Sequence, residues 1–73
     1  MVRRKVEYLT DTQERILGAI RAAITEQGDA PTVAEIAATV ELRPSSVHYQ
    51  LRELEAKGAI AREPHQPRGI RLA

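Results

Sequence analysis

The apolar residues of this chain fall into three helical stripes followed by two short runs near the C-terminal end. In the first stripe Ile16, Leu17, Ile20, Ala23 and Ile24 recur at helical spacing, with Glu14, Arg15, Arg21 and Glu26 between them. That is the period of a helix with one buried face. Thr10-Asp11-Thr12-Gln13 ahead of it reads as a capping box, the threonine side chain bonding an amide three residues on and the glutamine reaching back. Gly28 supplies the left-handed residue that stops such a helix. The pattern therefore predicts a first helix over Asp11–Gln27.

Asp29-Ala30-Pro31 is a loop, and Thr32-Val33-Ala34-Glu35 is a second capping box. It opens a short helix with Val33, Ile36, Ala37 and Val40 turned inward, and with small residues at 34, 37 and 38 where another helix can approach. Glu41-Leu42-Arg43 is long enough only for a tight turn, with Leu42 expected in the core. Pro44 suits the first position of a third helix, where its missing donor costs nothing. Val47, Leu51 and Leu54 make that helix's inward stripe, and Lys57-Gly58 ends it. Residues 59–62 and 70–72 are strand candidates, joined by a proline-rich turn over residues 63–69. The fold class that follows is mainly α with a small β-hairpin: three helices and a two-stranded wing, the order of a winged helix-turn-helix. Residues 1–8 form a basic arm and residues 9–73 the domain.

With Val47, Leu51 and Leu54 at the centre of the buried face, a rotation of about 100° per residue turns Ser45, Tyr49 and Arg52 outward, flanked by Ser46 and His48. Hydroxyl, aromatic, imidazole and guanidinium groups at the start of an exposed helix suit contacts with base edges and phosphates in a DNA major groove. Each residue also has a plainer use. Ser45 or Ser46 could cap the helix, Tyr49 could fold over the edge of the core, and Arg52 could pair with Glu53 or Glu55. In the turn, His65, Gln66 and Arg68 stand between Pro64 and Pro67, and Arg62 and Arg71 flank them. A stiff basic wing beside a groove-reading helix reaches phosphates or the neighbouring minor groove. Its plainer use is a solvated turn whose charges protect an edge strand. Because side chains alternate along a hairpin, these basic groups cannot all face one way, and His65 and Arg68 are the expected contacts.

Composition narrows the picture further. The chain has 73 residues, so it holds one small domain. It contains no cysteine, which excludes disulfides and thiolate zinc sites. Eleven basic residues against ten acidic ones leave a net charge of +1, which by itself does not announce a nucleic-acid binder. The distribution does more. Arg3, Arg4 and Lys5 cluster at one end, and Arg62, Arg68 and Arg71 stand against Glu63 alone at the other. Arg3, Arg4 and Lys5 of the arm, with Arg43 in the turn, are the expected phosphate contacts of arm and turn. His48 has no nearby partner for a metal, no carboxylate is placed to orient it toward Ser45 or Ser46, and the four glycines are scattered. No catalysis, metal, cofactor or small-molecule ligand is expected. No apolar run spans a membrane, and no signal peptide follows the basic start, so the expected location is the cytoplasm, with the nucleoid.

From Leu9 to Leu72 the sequence resembles the DNA-binding domain of the LexA repressors. The matching stretches are Leu9-Thr10 with Gln13 and Ile16-Leu17, then Pro31-Thr32 with Ala34-Glu35-Ile36-Ala37, then Leu51, Leu54 and Lys57-Gly58, and last Arg68-Gly69-Ile70-Arg71-Leu72. The resemblance implies base reading at Ser45, Ser46, His48 and Tyr49, and a wing on the DNA backbone. Two features depart from the family pattern: the segment between Leu42 and Leu51 is one residue short, and Arg43 precedes Pro44 where a serine cap is usual. The resemblance also stops at the first domain. The family's second domain, with its dimerisation surface and Ser–Lys self-cleavage site, has no counterpart here, so inactivation by self-cleavage is not expected, and the basic start favours a stand-alone protein.

The expected function is sequence-specific binding of double-stranded DNA by a small bacterial or phage-type transcriptional regulator. Two copies are expected on a palindromic or repeated site. The alternatives are a winged-helix module for protein–protein interaction and a non-specific architectural DNA binder.

Overall fold

A computed structural model describes residues 8–73. Arg3, Arg4 and Lys5, expected on phosphates, lie outside the described residues. The element order is α1 (Asp11–Gln27), α2 (Val33–Val40), α3 (Pro44–Ala56), β1 (Ile60–Arg62) and β2 (Ile70–Leu72). This is the winged helix-turn-helix order expected from the sequence.

Local chemistry sets each boundary. Thr10 Oγ1 accepts from the Gln13 amide at 3.1 Å and Gln13 Oε1 accepts from the Thr10 amide at 3.1 Å, which completes the first capping box. Thr32 and Glu35 repeat the exchange at α2, at 3.2 and 3.0 Å. Gly28 ends α1 at φ 78°, its amide donating to the Ile24 carbonyl at 2.9 Å. Glu41 ends α2 in the same left-handed region, at φ 59°. A glycine accepts that conformation freely; a side chain there crowds the backbone. After α3, Lys57 stays right-handed and Gly58 takes φ 82°.

The three helices close around one core. Ile16 and Ile20 of α1, Ile36 of α2, and Val47, Leu51 and Leu54 of α3 are its fully buried side chains. Ile60 and Ile70 add the inner face of the wing, and Leu9, Ile24, Val33 and Leu42 pack at the margin. Leu42 thus reaches the edge of the core and not its centre, because the α2–α3 turn carries it to the surface. The strands pair antiparallel with Ile60 opposite Leu72, Ala61 opposite Arg71 and Arg62 opposite Ile70. β1 begins one residue later than the pattern predicts, although the Ala59 carbonyl still accepts from the Ala73 amide at 3.1 Å.

Two long-range ties join the helices, one from α1 to α3 and one from α1 to α2. The first centres on Gln13, which is only 4% exposed. Its Nε2 donates to Gln50 Oε1 at 3.0 Å, and its Oε1 accepts from Lys57 Nζ at 2.7 Å. Lys57 Nζ also donates to the Tyr8 carbonyl at 2.8 Å, so the start of α1 is bonded to the end of α3. In the second, Arg15 Nη2 donates to the Val40 carbonyl at 2.8 Å and satisfies one orphan acceptor at the end of α2.

Candidate nucleic-acid interface

With Val47, Leu51 and Leu54 sealed in the core, α3 has no rotational freedom about its axis, and its other face is presented to solvent. Ser45, Ser46, His48, Tyr49 and Arg52 are all exposed on it. Tyr49 is 53% exposed, so the ring stands off the core and does not close over its edge. Neither serine caps the helix. The N-cap position belongs to Arg43, whose side chain makes no capping bond, and Pro44 follows it. The amides of the first turn are therefore open donors at a positive helix end, a setting suited to an anion. Arg52 has no ion pair among the described residues, and Arg43 is exposed in the turn that opens α3.

The wing is built around a close approach. Gly69 is buried, its amide donates to the Gln66 carbonyl at 3.1 Å, and its carbonyl accepts from the Glu63 amide at 2.9 Å. A Cβ added at Gly69 would sit 2.7 Å from the Glu63 carbonyl oxygen and 2.9 Å from Gln66 Cβ. Only glycine fits. His65 takes φ 65° at the tip, and Pro64, His65, Gln66 and Pro67 are all exposed.

The three wing arginines have different surroundings. The sequence pattern puts Arg68 on a phosphate; in the structure its guanidinium is committed within the chain. Nη1 and Nη2 donate to Glu35 Oε1 and Oε2, each at 2.8 Å, and Nη1 also donates to the Ala30 carbonyl at 2.9 Å. Glu35 already serves the α2 capping box, so one carboxylate ties the wing to the start of α2. The Arg68 hydrogen bonds, followed by the Thr32 amide, hold the Glu35 carboxyl down from its ordinary 4.5 to about 2. The same bonds push the Arg68 guanidinium above its usual range. Arg71 pairs with Glu63 at 2.7 Å. Arg62 has no ion pair among the described residues and is half-buried on the hairpin face that carries Ile60.

α3 and the wing are the two walls of an open groove of about 390 Å³, with Arg52 and Glu55 on the helix side and His65 and Gln66 on the wing side. A second groove, of about 460 Å³, runs between His48, the wing tip and the first turn of α2. Of the expected contacts, His48, Arg52, His65 and Gln66 line these two grooves, which share Arg62, His65 and Gln66, while Ser45, Ser46, Tyr49 and Arg68 lie outside both. Sequence reasoning did not find the Gln13–Gln50–Lys57 ties or the Arg68–Glu35 pair, which join residues 37, 44 and 33 positions apart. Among the described residues no three His, Cys, Asp or Glu side chains gather as a metal site, and no helix is long and apolar enough to cross a membrane.

Comparison with known proteins agrees with this geometry. The model of the LexA DNA binding domain matches residues 6–69. The chain is 46% identical over 65 residues to a LexA repressor from Mycobacterium leprae, covering 88% of this chain and 28% of that protein. It is 43% identical over 70 residues to a LexA repressor from Magnetococcus marinus, covering 96% and 30%. A LexA repressor from Mycobacterium tuberculosis is 45% identical over 65 residues, covering 88% and 28%. The chain thus spans less than a third of the length of these curated relatives.

Proposed function

The chain belongs to the LexA DNA-binding domain family, and from that premise we propose that it is a sequence-specific regulator of transcription that reads double-stranded DNA with α3. The first turns of α3 enter the major groove. Ser45, Ser46, His48 and Tyr49 meet base edges, while Arg52, and Arg43 in the turn, meet phosphates. The wing tip, through His65 and Gln66, follows the backbone or the adjoining minor groove. Arg3, Arg4 and Lys5 of the arm add phosphate contacts. Such a protein works on the chromosome, in the cytoplasm.

One observation carries this reading: a helix locked by three fully buried side chains presents an uncapped start and five exposed hydrogen-bonding side chains on its opposite face. A helix serving only the core has no use for that set. In vitro selection from a random duplex pool at moderate salt tests the reading. A recovered motif supports it; enrichment of no sequence, with retention only at low salt, replaces it with an architectural binder.

Binding as two copies is part of the proposal. A single module of this size covers about 600–1,000 Å² of DNA interface, which is small for a lone sequence-specific binder. Two-fold or tandem symmetry in the selected motif, and two chains per duplex in equilibrium sedimentation, are expected. One chain per site at saturation removes this part and leaves the rest standing.

A further inference from the structure

Arg62, like Arg71, is a wing arginine outside the contacts expected from the sequence pattern and the family resemblance. Its register explains where it points. It pairs with Ile70 across the hairpin and lies two residues from Ile60, both of which are buried. Alternation along a strand therefore turns Arg62 toward the core face, at its outer margin, where it is half-buried and reaches the space between wing and helices. Arg68 and Arg71 each hold a carboxylate; Arg62, among the described residues, holds none. It lines both grooves.

The two grooves differ in charge. The one against α3 also contains Glu55 and Glu63, the latter already neutralised by Arg71. The one against α2 is bordered by Arg62, His48, His65 and Gln66 and contains no carboxylate. Its polar side chains are the Thr32 hydroxyl, which already accepts from the Glu35 amide, and a fixed cation, two imidazoles and an amide, all four able to donate to an acceptor in the opening between α3 and the wing. A singly charged, acceptor-rich phosphodiester matches that set, and a guanidinium binds it in fork geometry.

We propose that Arg62 is the wing's phosphate anchor, and that with His65 and Gln66 it seats one backbone phosphate of the strand bordering the base pairs read by α3. The assignment rests on the DNA-binding reading above and deepens it. A phosphate held at this point fixes the depth and register of α3 in the groove without reading sequence. It also gives the wing a DNA contact that leaves the Arg68–Glu35 tie intact.

The test uses the full chain on its selected duplex, titrated across a range of salt. Arg62→Gln should reduce the slope of log affinity against log salt by about 0.9, the value for one phosphate, and weaken selected and scrambled duplexes by the same factor. Arg62→Lys should keep the slope. Neutralising the backbone phosphates one at a time as methylphosphonates should reveal one position that weakens the wild-type complex and leaves the Arg62→Gln complex unchanged. Gln66→Ala, at the exposed tip of the wing, should soften the effect at that same position. This keeps the test open if Arg62→Gln unfolds the hairpin. An unchanged slope in a folded Arg62→Gln protein, or Gln66 coupling to a different phosphate, overturns the anchor and leaves the DNA reading standing. Absence of salt-dependent DNA binding by the wild-type chain overturns both.

Discussion

Arg68 grips Glu35 with both arms of its guanidinium, at 2.8 Å to each carboxylate oxygen, across 33 residues of chain. Glu35 is at the same time the acceptor that closes the capping box of α2. The wing and the helix-turn-helix are therefore held in register by one carboxylate. This pair gives Arg68 a role in positioning the wing, beside the direct phosphate contact that the sequence pattern suggests.

That distinction is measurable. If Arg68 positions the wing, Arg68→Ala and Glu35→Gln should weaken DNA binding alike, and neither should change the salt slope. If Arg68 touches a phosphate directly, only Arg68→Ala lowers the slope, by about 0.9. Affinity titrations at several salt concentrations decide between them.

The pair also sets an acid limit for the wing. The Glu35 carboxyl titrates lower in the folded chain, about 2, than its ordinary 4.5. Its contribution is therefore complete above about 4.5 and is lost as pH falls toward 2. An NMR titration should show the Glu35 side chain protonating near pH 2, with amide signals of the wing moving in the same step. A midpoint near 4.5 would mean that the pair is absent in solution.

Gln13 should behave as a structural residue despite its polarity. Removing its side chain takes the Gln50 amide's partner away in a part-buried site and leaves Lys57 with the Tyr8 carbonyl alone. The cost of such unsatisfied groups is about 1–3 kcal/mol. Urea unfolding of Gln13→Ala should show a loss in that range, with DNA sequence preference retained by the folded fraction.

Glu41 offers the opposite case. It holds φ 59° without being glycine. Glu41→Gly should relieve crowding worth about 1–2 kcal/mol, offset by about 0.4–1 kcal/mol of added unfolded-chain entropy, for a net rise in Tm. An unchanged or lower Tm would show that the Glu41 side chain makes a contribution in the turn that outweighs its backbone strain.

Much of the fold was legible because its signals are local. The capping boxes at Thr10 and Thr32, the stops at Gly28 and Gly58, and Pro44 at the start of α3 each act within a few residues, and the helix boundaries follow from them. The outward face of α3 followed from the same periodicity, because Val47, Leu51 and Leu54 leave one orientation open. What was not legible depends on tertiary proximity. Nothing near Arg68 in sequence marks Glu35 as its partner, and the capping role of Gln13 conceals its contacts with Gln50 and Lys57. Arg62 shows the same limit from the other side. Its charge was visible, but its direction required the strand register.

The central claim is that the exposed face of α3 reads bases, and Tyr49 tests it most directly. The measurement is the ratio of affinities for the selected duplex and a scrambled one, in the wild-type chain and in Tyr49→Ala, at the same moderate salt. The account predicts that the ratio falls by the equivalent of about 1–3 kcal/mol while affinity for scrambled DNA is nearly unchanged. An unchanged ratio would contradict base reading by this face.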